Sequence, residues 1–441
     1  MAYSAALISL GCAKNLVNSE QMIYLLTEAG YRIVQDVQDA DIAIVNTCGF
    51  IDTAKSEAIA VILELSQLKR DGIISRIIVA GCLTQRYQDE IADEFPEVDA
   101  FVGVGSFSEI VSAADGAVCG SRPKLFGDIN APLDESGRAV STGSGWAYLK
   151  IADGCDNHCS FCIIPKLRGR YRSRPFEKII EEAAALAENG TKELIIIAQD
   201  ITRYGMDLSG RYRLSELLSE LCKIPGIELL RLHYLYPDAF DDELISVIAS
   251  QPKIAKYLDI PIQHINNRIL KRMNRRGTGD DIRSLFTTLR ERIDGLVLRT
   301  SLIAGLPGET EEDFNELCSF LRESKIELAG VFPYSREEGT AAANMPDIPD
   351  DKTALRRAEL ICDIQSEIYD RYIESRVGHE YGVLCEGADP DTGLWFGRSY
   401  AESPDIDGRI LFFGDAQVGE FARVCIVGIS DGEMTGEVVS P

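Results

Sequence analysis

Three cysteines close together in one short stretch constrain this chain more than any other feature of its sequence. In Cys155-Asp-Asn-His-Cys159-Ser-Phe-Cys162, three residues separate the first pair and two separate the second. Thiolates this close in one loop can ligate a single metal centre, and three thiolates on a four-iron cubane leave its fourth iron open. A C-x-x-C pair alone fits zinc binding or redox chemistry. The triple spacing therefore favours an iron–sulfur centre, with a zinc site or chance spacing as the alternatives.

The composition is that of a soluble globular protein with roughly two to four domains. No apolar run is long enough to span a bilayer, and the N-terminus lacks the basic-then-apolar form of a signal peptide. The twelve cysteines are better interpreted as metal ligands and buried thiols than as disulfides, because the cytosol keeps thiols reduced. We therefore expect a cytoplasmic protein without membrane association.

The net charge of −25 argues against binding to DNA or other nucleic acid without sequence preference, since such binding relies on a positive surface. It favours a neutral or basic partner instead.

Residues 1–119 alternate apolar and amphipathic runs, which predicts an open parallel α/β sheet. The predicted elements are strands at Ala5–Leu10, Ile42–Val45, Arg76–Ala80 and Phe101–Val104, with helices at Asn18–Ala29 and from Asp52 to about Leu68.

Cys12, Cys48 and Cys82 each come just after the carboxyl end of a predicted strand. In an open parallel sheet those ends form one rim, where ligands bind. Residues more than thirty positions apart would then converge, which predicts a site for a second iron–sulfur cluster. The alternative is that each is an ordinary small buried residue.

After a Pro-, Gly- and Ser-rich linker at 120–143, six further strand–helix units predict a partial (β/α)6 barrel, short of the eight units that close a full one. Its strands are expected at Trp146–Ala152, Glu193–Ala198, Ile227–Leu235, Tyr257–Ile262, Val297–Ala304 and Leu328–Tyr334. The Cys155 triad follows the first strand, at the rim where such barrels keep their chemistry. An open side would admit a macromolecular substrate.

The segment 377–441 changes to five short strands divided by Gly, Asp and Pro turns, the pattern of a small OB-like β-barrel. Such barrels often bind nucleic acid, but this one carries 12 Asp and Glu against 3 Arg. Its net charge of −9 should repel a phosphate backbone and attract a basic protein.

These features together resemble the radical S-adenosylmethionine (SAM) methylthiotransferases over nearly the whole chain. The resemblance implies a methylthiotransferase domain at 1–119, the linker at 120–143, a radical-SAM domain at 144–376 and a TRAM domain at 377–441. It also implies two [4Fe–4S] clusters, with SAM and an external electron donor as further requirements. The auxiliary cluster would be held by Cys12, Cys48 and Cys82, and the SAM-binding cluster by Cys155, Cys159 and Cys162.

Three further positions follow strand ends of the barrel and are interpreted as SAM contacts: Gln199, Gln263 and Gly305. The alternative for the Gly305 stretch is a turn whose Thr310 caps the next helix. The basic run from Lys166 to Arg174 could hold the SAM carboxylate or an acidic substrate side chain; it could equally be a solvated turn paired with acids.

Several stretches, Ser9–Glu20, Asp259–His264 and Gly397–Gly408, look like the branch of the family that acts on a ribosomal protein. One departure is Asn18, where Asp is expected. The implied reaction adds a methylthio group to the β-carbon of an aspartate of small-subunit ribosomal protein S12, free or in the small subunit. A transfer-RNA methylthiotransferase is the second hypothesis, and the acidic terminal barrel disfavours it. A non-enzymatic iron–sulfur carrier or RNA-binding adaptor is the third, and it does not explain an open-site cysteine triad.

Overall fold

The computed structural model describes residues 3–439. The described chain divides into two compact units. The first contains the chain up to Ser141 together with Ala152–Arg174 and Ser335–Ala343, and the second contains the remainder. The domain boundaries given above stay a prediction.

The first unit is centred on a parallel sheet, which confirms the predicted architecture. Among the described residues it has six strands, in the order β2-β1-β3-β4-β5-β6. They are β1 (Ser4–Ser9), β2 (Arg32–Ile33), β3 (Ile42–Thr47), β4 (Arg76–Gly81), β5 (Ala100–Val102) and β6 (Lys124–Leu125). Every residue of β3 is buried, as expected where helices cover both faces of a parallel sheet. Alternate residues of β3 enter different cores, Ile42 and Ile44 on one face and Ala43 and Val45 on the other.

The helices of this unit are α1 (Ala13–Glu28), α2 (Asp52–Arg70), α3 (Cys82–Tyr87), α4 (Asp89–Glu94), α5 (Ile110–Cys119) and α6 (Ile164–Arg168). Helix α1 begins at Ala13, earlier than the predicted Asn18. Its first turns bury polar side chains, including Asn15 and Asn18, so the apolar periodicity that marks an amphipathic helix starts late. A short antiparallel ribbon pairs Ala152–Asp153 with Arg172–Ser173.

A second parallel sheet occupies the centre of the second unit, and its strand order follows the chain from β7 to β12. Its strands are β7 (Trp146–Lys150), β8 (Glu193–Ile197), β9 (Leu229–Leu232), β10 (Ile254–Asp259), β11 (Val297–Ala304) and β12 (Leu328–Pro333). Strands β7 and β12 are its two edges, which agrees with the predicted partial barrel.

The helices of the second unit connect and flank these strands. They are α7 (Phe176–Glu188), α8 (Met206–Ser209), α9 (Leu214–Leu221), α10 (Asp242–Ser250), α11 (Asn267–Arg272), α12 (Gly279–Arg292), α13 (Glu311–Ser324) and α14 (Asp351–Arg376).

The chain ends in a closed barrel, as its strand pattern predicts. Its strands are β13 (Glu380–Ala388), β14 (Trp395–Arg398), β15 (Ile410–Phe413), β16 (Phe421–Ser430) and β17 (Glu433–Val438), in the order β13-β14-β15-β17-β16. Val383, Ile410, Phe412 and Ile426 form its buried core. No helix within residues 3–439 has both the length and the apolar character to cross a membrane.

Candidate metal centres

Cys12, Cys48 and Cys82 follow three strands that are neighbours in the first sheet. Cys12 is the N-cap of α1, just after β1. Cys48 comes directly after β3, and Cys82 opens α3 directly after β4. Strands β1 and β4 flank β3 in parallel, so the three cysteines lie along one edge of the sheet, where the carboxyl ends meet.

Two glycines allow the loops that carry these cysteines to approach closely. A β-carbon on Gly11 would lie 2.6 Å from Cβ of Cys48, and the φ of Gly11 is +91°. A β-carbon on Gly49 would lie 2.8 Å from the backbone nitrogen of Leu83 and 2.9 Å from the carbonyl carbon of Cys82. Any larger residue at either position would push the loops apart, so both glycines are part of the site.

The three thiols influence one another electrostatically. Burial raises the pKa of Cys48 to about 12, and the neighbouring Cys82 and Cys12 add to the rise. Burial also raises the pKa of Cys82, although the Arg168 guanidinium opposes it. Loss of solvent around the Cys12 sulfur acts in the same direction, but Lys14 and Arg168 help to bring the pKa of Cys12 below its usual value. Positive charge from Arg168 thus opposes the effect of burial at all three sulfurs, but only at Cys12 does the balance favour the thiolate, the form that binds metal.

The second triad lies within one loop framed by the Ala152–Asp153 ribbon. Each of its three cysteines is half-buried. The backbone N–H of Cys155 donates to the carbonyl of Gly169 at 3.2 Å, and the N–H of Cys162 donates to the carbonyl of Cys159 at 3.0 Å. The N–H of Asn157 points at the Cys155 sulfur at 3.5 Å. These bonds hold the loop in a defined shape.

Both triads belong to the first compact unit, and one small apolar cluster contains Cys82 of the first triad and the residue that follows Cys162 of the second. The cluster joins Cys82 with Ile163, Leu167, Phe50 and Val104. Ile163 directly follows Cys162, and Phe50 is two residues after Cys48. The apolar packing around Cys82 therefore includes the segment directly after the second triad.

The basic run from Lys166 to Arg174 divides into buried and exposed members. Arg168 is 1% exposed and Arg174 is 6% exposed, whereas the side chain of Arg170 is 82% exposed. Arg174 pairs with Glu135. Arg168 is surrounded by polar groups of the two cysteine sites, so the run is not a simple solvated turn.

A loop late in the chain also braces both triads, and no sequence pattern predicts this role. Glu337 is 3% exposed and accepts hydrogen bonds at 2.9 Å from Lys55 and from Arg86. Arg86 also donates to the carbonyl of Gly49, next to Cys48. In the same loop, the N–H of Ala342 donates to the carbonyl of Ser160, inside the second triad.

The donor sets fit iron–sulfur clusters in chemistry and placement. Each consists of three thiols, which can bind three of the four irons of a cubane and leave the fourth iron open. Within residues 3–439 no group of three or more His, Cys, Asp or Glu side chains has the geometry to hold one metal ion. The cysteines of a cubane bind different irons, so their sulfurs stand farther apart than the ligands of a single ion.

The residues interpreted as SAM contacts lie in the second unit, each just past a strand of its sheet. Gln199 follows β8, Gln263 follows β10 and Gly305 directly follows β11. Gln263 has a φ of +70°, unusual for a residue with a side chain, and its backbone pairs with Ser301 and Ile303 of β11 at 2.8 and 2.9 Å. Their role as SAM contacts stays a prediction.

The backbone of Gly305 is hydrogen-bonded to a buried carboxylate, that of Glu309. Its N–H donates to Oε2 of Glu309 at 2.8 Å, and Arg357 donates to the other oxygen at 3.0 Å. Burial raises the pKa of Glu309 to about 7 against the effect of Arg357. Burial also lowers the pKa of nearby His264 to about 4, so this histidine is neutral at pH 7. Thr310 caps α13 in a capping box, as predicted.

The stretch from Gly397 to Gly408 is largely buried and packs on the sheet of the same unit. Arg231 of β9 donates to the carbonyls of Ser399 and Tyr400 at 3.0 and 2.6 Å. Tyr257 of β10 donates to the Asp407 carboxylate at 2.7 Å. This stretch therefore joins the barrel to the sheet.

Three family models match the chain in the expected order. Residues 4–103 match "Uncharacterized protein family UPF0004", residues 149–321 match "Radical SAM superfamily" and residues 377–439 match "TRAM domain". The sheet-edge cysteines, the C-x3-C-x2-C loop and the terminal barrel thus define a radical-SAM enzyme of the methylthiotransferase class.

The ribosomal protein uS12 methylthiotransferase RimO of Lachnoclostridium phytofermentans is 46% identical over 97% of this chain and 98% of its own length. RimO of Geobacter sulfurreducens is 46% identical over 99% of this chain and 98% of its own length. RimO of Pelotomaculum thermopropionicum is 47% identical over the full length of both chains. The chain belongs to the RimO family of methylthiotransferases.

Among solved structures, the chain is similar to the radical SAM methyltransferase TsrM from Kitasatospora setae, a structure with cobalamin and a [4Fe–4S] cluster bound. The TM-score is 0.56 at 16% identity, over 76% of this chain and 77% of that one. At this identity the likeness concerns the fold alone.

Proposed function

We propose that this enzyme adds a methylthio group to the β-carbon of an aspartate of ribosomal protein S12, using SAM and two [4Fe–4S] clusters. The observation that carries the proposal is the presence of two complete cysteine triads in one compact unit. The names of its relatives supply the substrate.

In this proposal Cys155, Cys159 and Cys162 hold the cluster that binds SAM, and Cys12, Cys48 and Cys82 hold the auxiliary cluster. When bound, the cofactors supply an adenosyl radical able to remove an unactivated hydrogen, together with the sulfur and methyl groups to be transferred. Gln199, Gln263 and Gly305 are proposed as SAM contacts.

The chain's own residues position and shield this chemistry. The buried thiol of Cys82 and the apolar side chains around it exclude water from one side of the auxiliary triad. Burial lowers the pKa of His264 to about 4 and leaves its ring without solvent exposure, so it would be a weak and inaccessible base. This agrees with a hydrogen abstraction that needs none.

The terminal barrel supports a protein substrate over a nucleic acid. Its three arginines all pair with acids: Arg398 with Glu193 and Glu386, Arg409 with Asp389 and Glu433, and Arg423 with Glu380. The surplus of carboxylates gives the barrel a negative field, which attracts a basic ribosomal protein and repels a phosphate backbone.

We place the domain boundaries at 1–119, 144–376 and 377–441, with a linker at 120–143. We also infer a cytoplasmic enzyme that takes its electron from an external donor and needs neither a membrane nor DNA.

The test uses anaerobically reconstituted enzyme with SAM, dithionite and a sulfide source. Unmodified small ribosomal subunits are offered in one reaction and transfer RNA in another, and both products are analysed by mass spectrometry. The proposal predicts a methylthio gain on one aspartate-containing peptide of S12. A gain on transfer RNA alone would overturn the substrate, and SAM cleavage without either gain would overturn both substrate assignments.

A further inference from the structure

One guanidinium lies against both cysteine sites. Arg168 is 1% exposed and is among the largest fully buried side chains of the described residues. Its pKa stays above the usual arginine value, because Asp153 and the thiols of Cys82 and Cys12 outweigh the cost of burial. A permanent positive charge therefore sits inside the first unit.

The contacts of this guanidinium are directional. One terminal nitrogen donates to Asp153 at 3.0 Å and to the side-chain oxygen of Asn18 at 3.2 Å. The other donates to the side-chain oxygen of Asn15 at 2.6 Å and lies 3.6 Å from the Cys82 sulfur, within range of an N–H to sulfur hydrogen bond. Of these four partners only Asp153 is a carboxylate, so the charge is shared with the sulfur.

The same side chain ties the two cysteine sites together. Asp153 accepts the N–H of Gly154 at 2.9 Å, one residue before Cys155. Asn15 donates to the carbonyls of Leu10 and Thr47, next to the turns that carry Cys12 and Cys48. Arg168 therefore connects the loop of the second triad, through Asp153, to the sheet edge that carries the first triad, through Asn15.

On the basis of the proposed function, we propose that Arg168 is a positioning residue that raises the reduction potential of the auxiliary cluster through its hydrogen bond to the Cys82 sulfur. One-electron reduction makes a cluster more negative. A positive donor on a ligand sulfur stabilises the reduced form more than the oxidised form. The effect is large in a buried place, where charges are weakly screened.

Three substitutions change the charge at this point with stated signs. Arg168→Gln removes the charge and should make the potential more negative. Asn18→Asp adds a carboxylate beside the guanidinium without changing side-chain size, and it should act in the same direction. Asp153→Asn removes the balancing carboxylate and should make the potential more positive. The matched control is Arg170→Gln, the same change two residues away on an exposed side chain, where solvent and salt screen the charge.

The experiment is carried out on the full chain with Cys155, Cys159 and Cys162 replaced by Ala, so that only the auxiliary cluster is present. Dithionite titration with mediators, followed by electron paramagnetic resonance of the reduced cluster, gives the midpoint potential of each variant. The expected order, from most negative to most positive, places Arg168→Gln and Asn18→Asp below the Arg170→Gln control and Asp153→Asn above it.

The inference is overturned if any of these potentials fails to move in its stated direction relative to the control. Arg168→Gln removes the buried hydrogen bonds of the guanidinium, and the variant protein could fail to fold for that reason. In that case the opposite shifts of the midpoint potential expected for Asn18→Asp and Asp153→Asn test the inference. Failure of the parent background to assemble any cluster would overturn the two-cluster proposal itself, and the role of Arg168 with it. Normal clusters with equal potentials would overturn the role of Arg168 alone.

Discussion

The two cysteine triads of the first unit are built in different ways. Cys12, Cys48 and Cys82 come from three separate strand ends, and only the parallel sheet brings them together. Cys155, Cys159 and Cys162 come from one loop, whose shape rests on local backbone bonds and on the carbonyl of Gly169. The first set therefore depends on the packing of a whole domain, and the second depends mainly on one loop.

This difference predicts which structural damage would reduce each proposed activity. Damage to the sheet edge should reduce the auxiliary cluster first, and damage to the loop should reduce SAM cleavage first. The exceptions are the groups that brace both sets, Arg168 and the loop that carries Glu337 and Ala342.

The largest expected effects separate the two triads by activity. Cys155→Ala should abolish SAM cleavage, because SAM loses its iron site. Cys48→Ala should still form 5′-deoxyadenosine but produce no methylthiolated product. Chromatography of deoxyadenosine and mass spectrometry of the substrate peptide measure the two activities. Loss of SAM cleavage in both variants to the same degree would show that the triads do not work separately.

Glu337→Gln should lower the iron bound at both triads, in contrast to the cysteine substitutions, which separate them. The change removes the carboxylate that pairs with the buried Arg86 guanidinium and leaves Lys55 with the exposed Asp52. Breaking a buried ion pair costs about 3–5 kcal/mol. Urea unfolding of the metal-free protein and iron content after reconstitution are the measurements. Glu338→Gln, the same change at the adjacent exposed residue, is the control and should behave as the parent.

Gly11→Ala should affect the sheet-edge triad selectively. The new methyl would lie 2.6 Å from Cβ of Cys48, an overpacking that costs about 1–3 kcal/mol. Gly30→Ala is a matched control, because Gly30 has the same φ of +91° but no atom within 4 Å of an added β-carbon. The two variants are compared in the free energy of unfolding and in the iron bound by the sheet-edge triad. Any difference between them measures the effect of the close contact with Cys48. Equal losses would mean that backbone strain alone is responsible.

The smallest expected effect lies in the second unit and should leave both triads loaded. The pKa of Glu309 is raised from 4.5 to about 7, so its stabilising contribution is present below pH 4.5 and is lost as pH rises through 7. The pKa of His264 is lowered from 6.5 to about 4, so its contribution is present above pH 6.5 and is lost as pH falls through 4. The two dependences oppose each other in the parent.

Single substitutions should expose each dependence. In His264→Gln, stability should fall as pH rises from 4.5 to 7, and in Glu309→Gln it should rise with pH from 4 to 6.5. Urea midpoints across this range measure the trend, and iron content should match the parent. A change in iron content would show that the second unit also controls the cysteine sites.

Much of the fold follows from local patterns in the sequence. The alternation of strands and helices predicts both parallel sheets, and the turn-rich final segment predicts the closed barrel. The positions of Cys12, Cys48 and Cys82 after strand ends also predict that they share one edge, because parallel strands end on the same side.

The bracing of the site could not be predicted, for physical reasons. A dense basic run is usually solvated, and the burial of Arg168 depends on Asn15 and Asn18, some 150 residues away in the chain. Glu337 lies in a loop without periodicity, and its partners are more than 250 residues distant. The apolar pattern does not predict the early start of α1, because the side chains that its first turns bury are largely polar. Asn15 and Asn18 among them contact Arg168 at the site.

The most direct test of the central claim is the iron content of two triple variants after identical anaerobic reconstitution, with Mössbauer spectra to identify the clusters. One variant replaces Cys12, Cys48 and Cys82 by Ala, and the other replaces Cys155, Cys159 and Cys162. Two separate clusters predict that each variant keeps half the iron of the parent, as one [4Fe–4S] cluster. If both variants retained the iron content of the parent, the assignment of one cluster to each triad would be wrong.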